Sequence, residues 1–175
     1  MARMELPEVS ALNSAERTQY DRFPSNLTRA LLCTSGCARG YLDLGFALRA
    51  TSLEPKHYEL VILRVAALSS SAYERMQHLP PARQAGWSDA DIRAIEGEAG
   101  GALDDVARAL LAFVDECVRD VRASTRTFDR ARKYFSERAL ADAALLTGFY
   151  MMTARFLETL GVPLDDAPCD VLMTR

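Results

Sequence analysis

Leu60 to Leu63 and Val65 to Leu68 form a run that is apolar on every side of any regular element, interrupted only by Arg64. A segment of that kind is buried on all faces, so the rest of a small domain must be built around it. No Gly or Pro intervenes from Lys56 to Leu68, and Pro55 suits a first helical turn, so a central buried helix is expected. Glu59 stands at its head, a carboxyl group among Leu, Val and Ile. Ser69, Ser70 and Ser71 then break the pattern, since serine favours caps and turns. Ser71 followed by Glu74 has capping-box spacing, which predicts a second helix on which Glu74 and His78 share a face.

With 175 residues, 19.4 kDa and 49% hydrophobic side chains, one globular domain has enough material for a core around that helix. A net charge of −3 and a pI near 5.5, with basic residues scattered, argue against nucleic acid or an anionic membrane as partner. The longest uncharged apolar run, Ala143 to Ala154, is too short to span a bilayer. Cys33, Cys37, Cys117 and Cys169 lack zinc-type spacing and no secretory leader precedes them, so a reducing, cytoplasmic setting is expected. His57 and His78 are the only histidines, which excludes a three-histidine metal site.

Helical periodicity recurs along the chain. Residues 1–24 read as an arm with a short helix around Ala15 to Arg22, residues 25–163 as the helical domain, and residues 164–175 as a tail. Asn26 is expected to cap a helix reaching Cys33, and Tyr41, Leu44 and Leu48 to mark the apolar side of the next. Gly86 suits a helix stop, Ser88 with Asp91 a new start running to about Glu98, and Gly100-Gly101 a turn. Leu103, Val106, Ala107, Leu110, Val114, Cys117, Val118 and Val121 fall on one helical stripe. Phe128, Ala131 and Phe135 give a shorter helix, and Ser136 caps a last one running to about Leu160, ended by Gly161 and Pro163. Strand alternation and hairpin signals are absent, so the fold is expected to be all-α, a single-domain multi-helix bundle. The many apolar side chains around Tyr150 fit either core packing or a subunit interface.

Several residues can carry chemistry, each beside a plainer reading. Glu74 and His78 fit a capping box plus an exposed i,i+4 pair. Glu59 needs a partner to stay charged when buried. Arg64 would make a structural pair, whereas His78 would make a proton-transfer site in which Glu59 fixes the imidazole tautomer. Cys33 and Cys37 fit semi-buried thiols or a redox pair, with Ser35 and Gly36 favouring a turn between them. Cys117 reads as core, Cys169 as exposed, and Ser71 as a cap rather than a nucleophile.

Leu53 to Ala67, Tyr73-Glu-Arg-Met-Gln-His78 and Ala85 to Ile92 together resemble the carboxymuconolactone decarboxylase family, which includes the alkylhydroperoxidase D-like proteins. Thr147 to Leu157 is similar to the C-terminal helix of its single-domain members, and the resemblance covers roughly residues 25 to 163. It implies a helical fold whose subunits assemble as trimers or hexamers. In the peroxidase branch a Cys-x-x-Cys-x-x-x-His motif follows a glutamate on the preceding helix. Here Glu59 and His78 match the relay positions, while Ser71 and Glu74 stand where the cysteines would be. A hydroxyl cannot replace a thiolate, nor a carboxylate form the disulfide, so the thiol-free branch is implied.

The expectation is therefore a small-molecule enzyme with Glu59, Glu74 and His78 as catalytic residues and Ser71, Tyr150 and Arg155 as substrate-binding residues. Its chemistry would be decarboxylase-, lactone- or isomerase-like proton transfer on a small organic acid or related metabolite, without a cofactor. The alternatives are a redox protein using Cys33 and Cys37, and a non-catalytic oligomeric scaffold with Arg64 and Arg75 saturating the glutamates. A weaker one is iron or manganese held by the carboxylates and histidine.

Overall fold

The computed structural model describes residues 3–97 and 103–173. The expected central helix, α4 (Pro55–Leu68), is its axis, and Leu60, Val61, Ile62, Leu63 and Val65 have no solvent exposure. Around it pack α5 (Ala72–Gln84), α6 (Asp89–Glu96), α7 (Asp105–Arg119) and α9 (Glu137–Leu160). Four shorter or peripheral helices complete the set: α1 (Ser14–Arg22), α2 (Asn26–Leu32), α3 (Cys37–Leu48) and α8 (Thr125–Ala131). Among the described residues regular structure is helical only, so the all-α expectation holds. The Gly100-Gly101 turn lies outside the described residues.

Local chemistry sets the boundaries. Asn13 with Glu16, and Ser88 with Asp91, close full capping boxes, while Asp104, Ser124 and Ser136 accept from the backbone N–H three residues on. Ser25 rather than Asn26 caps α2, a one-residue shift from the expected start. Pro80 and Pro81 lie inside α5, each removing one N–H from its ladder. Trp87 donates its indole N–H to the Lys56 carbonyl at 2.7 Å, tying the end of α5 to the start of α4.

Two apolar side chains depart from expectation. Val121 lies beyond the end of α7 and is 89% exposed, because the helix stops at Arg119 before the stripe is complete. Leu44 turns outward on α3 rather than marking its apolar side. Leu145 and Met152, which share one face of α9, are also exposed.

A second apolar cluster joins Leu27 and Leu31 of α2, Leu42 of α3, Tyr73 of α5, Leu157 of α9 and Cys169. The residues after Pro163 fold back to reach it. Asp165 accepts from the Asn26 N–H at 2.7 Å, from Gln77 Nε2 at 2.8 Å and from the Tyr73 hydroxyl, and the Cys169 N–H donates to Gln77 Oε1 at 2.7 Å. Cys169 is therefore buried rather than exposed: the tail is a strap with hydrogen-bonded anchors on α2 and α5. No helix among the described residues is long and apolar enough to cross a membrane.

Candidate active site

Glu59, one turn into α4, faces α5, where its Oε2 lies 2.9 Å from His78 Nδ1. Both side chains are buried, at 5% and 4% exposure. A carboxylate only accepts, so the ring presents its Nδ1–H to Glu59. Nε2 is 3.0 Å from the Tyr150 hydroxyl on α9, and that hydroxyl also hydrogen-bonds Tyr58. The rings of His78 and Tyr150 meet edge to face at 5.1 Å. Burial, followed by the neighbouring Tyr58 and Glu59, pushes the Tyr150 hydroxyl well above the ordinary phenol range, so it stays protonated.

Glu74 is as buried as Glu59 but lacks its partner. It is 2% exposed, and neither carboxyl oxygen has a hydrogen-bond partner. Its backbone N–H reaches the Ser71 hydroxyl at 3.5 Å, but the side chain does not bond back, so only half of the expected capping box forms. Burial raises its pKa well above the ordinary carboxylate value; the nearby Ser71 hydroxyl opposes that shift without offsetting it, and Glu158 adds to it. An unpartnered carboxyl in that setting is held as the neutral acid.

Glu74, His78 and Tyr150 open onto one cavity of about 70 Å³, room for several waters. Tyr41, Tyr58, Tyr73, Gln77, Thr153 and Arg49 supply its other polar groups, and Leu27, Leu42, Phe46, Phe149 and Leu172 much of its apolar wall. Glu59 stands behind His78 and does not line it. Among the described residues no cluster of three or more His, Cys, Asp or Glu side chains gathers as a metal site.

Several alternatives resolve against this geometry. The Glu59–Arg64 pair does not form: Arg64 bonds Asp115 on α7 instead, because one side chain faces α5 and the other α6 and α7. Arg75 pairs with Glu96 rather than Glu74. Cys33 and Cys37 are free, exposed thiols away from the cavity, and desolvation raises the Cys33 pKa despite Arg29. His57 packs edge-on against Phe135 at 5.0 Å, outside the cavity. Of the expected binding residues, Tyr150 lines the cavity. Ser71 caps α5 outside the lining, and Arg155 is exposed, donating to the Met151 carbonyl at 2.9 Å. Tyr58, Tyr41 and Arg49 were missed; Tyr58 adjoins Glu59 in sequence, but no local pattern marks Arg49.

The family model that matches the chain is that of the carboxymuconolactone decarboxylase family, over residues 36–116. No functionally curated protein matches it. Among solved structures, an alkylhydroperoxidase AhpD core, an uncharacterized peroxidase-related protein from Ralstonia eutropha, superposes with a TM-score of 0.81 at 19% identity, covering 94% of this chain and 93% of that one. An uncharacterized peroxidase-related protein from a Silicibacter species gives 0.76 at 17% identity, with 94% and 92% covered. The debrominase Bmp8 in complex with 2,3,4-tribromopyrrole gives 0.72 at 13% identity, with 98% and 94% covered. At such identities these structures share the fold. Over residues 36–116 the chain is thus similar to the carboxymuconolactone decarboxylase family, and over most of its length it shares the fold of these alkylhydroperoxidase-like structures.

Proposed function

We propose that this protein is a thiol-independent acid–base enzyme acting on a small organic acid, lactone or related metabolite. One observation carries the reading: a histidine held by a buried carboxylate shares a cavity with a buried carboxyl group that has no partner. The two groups are suited to opposite tasks. Glu74, kept neutral by burial, gives a proton; His78, oriented by Glu59 and touching Tyr150, takes one. In a decarboxylation the bond to the carboxylate carbon breaks and its electron pair enters a carbonyl of the substrate. Carbon dioxide leaves, Glu74 protonates the carbon, and solvent returns the proton to Glu74. Isomerisation or hydrolysis would use the same pair. Neither the thiols nor the scaffold alternative finds comparable support, since Cys33 and Cys37 lie off the cavity and Arg64 and Arg75 are engaged elsewhere.

The test is a panel of small lactones and keto acids followed by NMR and carbon dioxide release. On any substrate found, His78→Gln and Glu74→Gln should lower turnover by about 10²–10⁴ with the helical spectrum retained. A His78→Gln variant with full activity would overturn the reading. We further infer that the protein works as a homo-oligomer, trimer or hexamer, supported by the exposed Leu145 and Met152 at 54% and 47%. Light scattering that gives a monomer at micromolar concentration would contradict this.

A further inference from the structure

The cavity as it stands is shut against its own chemistry. At about 70 Å³ it is half the size of the roughly 150 Å³ cavity that takes up a benzene ring, and both Glu74 carboxyl oxygens are sealed from solvent. A wall must therefore move before a substrate of the proposed class enters. Burial locates the mouth. Among the lining residues, Tyr41, Gly45 and Phe46 of α3, Arg49 just past its end, and Leu172 of the strap are half-buried, while the others are buried. The mouth thus lies between α3 and the strap. The α3 side is fixed: the Tyr41 hydroxyl is 2.5 Å from Thr153 Oγ1, and its ring packs on Phe149 at 4.8 Å. Gly45 approaches so closely that a Cβ would stand 3.2 Å from Phe149 Cζ. The strap side is lightly held. It ends in a single 3₁₀ turn, Asp170–Met173, whose Leu172 N–H donates to the strap's own Cys169 carbonyl at 3.0 Å. It reaches α5 through the Cys169 N–H, which donates to Gln77 Oε1 at 2.7 Å.

We propose that the strap beyond Asp165 is the gate of this cavity: Asp165 is its fixed post, the Gln77–Cys169 hydrogen bond its latch, and Leu172 the side chain that leaves the wall to admit a ligand. Asp165 accepts from Asn26, Gln77 and Tyr73, so the strap pivots after it rather than before it. Breaking one hydrogen bond and exposing Leu172 and Cys169 costs little beside unfolding a core helix, so opening is a local event. Gln77 makes the latch part of the site. It lines the cavity from α5, between Glu74 and His78 in sequence, and the two ends of its carboxamide hold Asp165 and Cys169. With the gate shut, the unpartnered acid is kept dry; with it open, a ligand reaches Glu74 and His78 from the α3 side. The gate goes beyond the acid–base reading and needs no particular reaction behind it.

Two reagents test this on the full chain, read by peptide mass spectrometry. Diethyl pyrocarbonate, too large for the closed cavity, reports entry by acylating His78, and iodoacetamide reports the strap by alkylating Cys169. In the wild-type protein His78 should react about 10²-fold or more slowly than a free imidazole, at a rate that stays flat in low urea, the mark of local opening. Gln77→Leu and Leu172→Ala should each speed both labels together, by about fivefold or more. Three results overturn the proposal: His78 reacting as fast as a free imidazole, His78 reacting only as urea unfolds the whole chain, or variants that speed Cys169 and leave His78 unchanged. The wild-type measurements stand even where a variant fails to fold. None of them reads turnover, so a failed gate leaves the acid–base reading in place, and a fully active His78→Gln enzyme would end that reading and leave the gate.

Discussion

Arg64 and Glu59 sit on the same buried helix, and their surroundings differ. Arg64 turns toward α6 and α7, where Nε and Nη2 donate to Asp115 at 2.5 and 2.8 Å and Nη1 donates to the Ile95 carbonyl at 3.0 Å. Gly97, at φ 103°, makes room for it: a Cβ there would lie 3.0 Å from Nη1. Glu59 turns toward α5 and starts a chain that runs through His78 to Tyr150 and the cavity. The first cluster is closed, with both prongs of the fork engaged. The second is open, and it ends beside an unpartnered acid. Burial of charge is common to both, so burial alone does not mark a site; what marks one is a hydrogen-bonded chain that ends at a space a ligand can enter.

The comparison breaks most directly by mutation at each end. Glu59→Gln should lower turnover by about 10²–10⁴, since an amide holds His78 without supporting the charge it gains, while stability moves by no more than about 1 kcal/mol. The double variant with His78→Gln should lose far less than the product of the two single losses, because the residues act as a unit. Asp115→Ala should do the reverse. It strands a buried guanidinium and should cost about 3–5 kcal/mol in chemical denaturation, with turnover per folded molecule unchanged. If the two outcomes were exchanged, the roles assigned to the two ends of α4 would be exchanged with them.

Glu74 sharpens the comparison through pH. Its folded pKa lies above that of the unfolded chain, so between the two values the folded state holds a proton that the unfolded state has lost. Its contribution is fully present below the ordinary carboxylate range and is lost as pH rises toward its own raised value, by up to about 1.4 kcal/mol per pH unit. Glu74→Gln should therefore gain stability relative to wild type on going from about pH 5 to about pH 8, and a difference in melting temperature that stays flat would place a counter-charge beside Glu74.

Smaller effects are expected further out. Asp165→Ala removes the acceptor shared by Asn26, Gln77 and Tyr73 and should cost about 1–3 kcal/mol, with faster amide exchange in residues 164–173 as the direct readout. Cys33→Ser and Cys37→Ser should leave turnover within about threefold, and loss of activity with the helices intact would restore the thiol alternative.

What the sequence determined by itself is local. The run from Leu60 to Leu68, free of Gly and Pro and led by Pro55, read as a buried helix, and Ser71, Ser88 and Ser136 announced helix starts, because periodicity and capping depend on residues within a turn or two of each other. Glu59 with His78 was legible only as one of two pairings, beside Glu59 with Arg64, and as the pair that the family resemblance implied. The tertiary structure decided which partner each charge found. Arg64 reaches Asp115 across 51 positions, Tyr150 reaches His78 across 72, and Asp165 reaches Gln77 across 88. None of these contacts follows from spacing, since they depend on which faces of α4, α5, α7 and α9 come together. The same packing left Glu74 dry and alone, drew Cys169 under the strap and brought Arg49 to the cavity, whereas Arg155, on the outer face of α9, stayed in solvent.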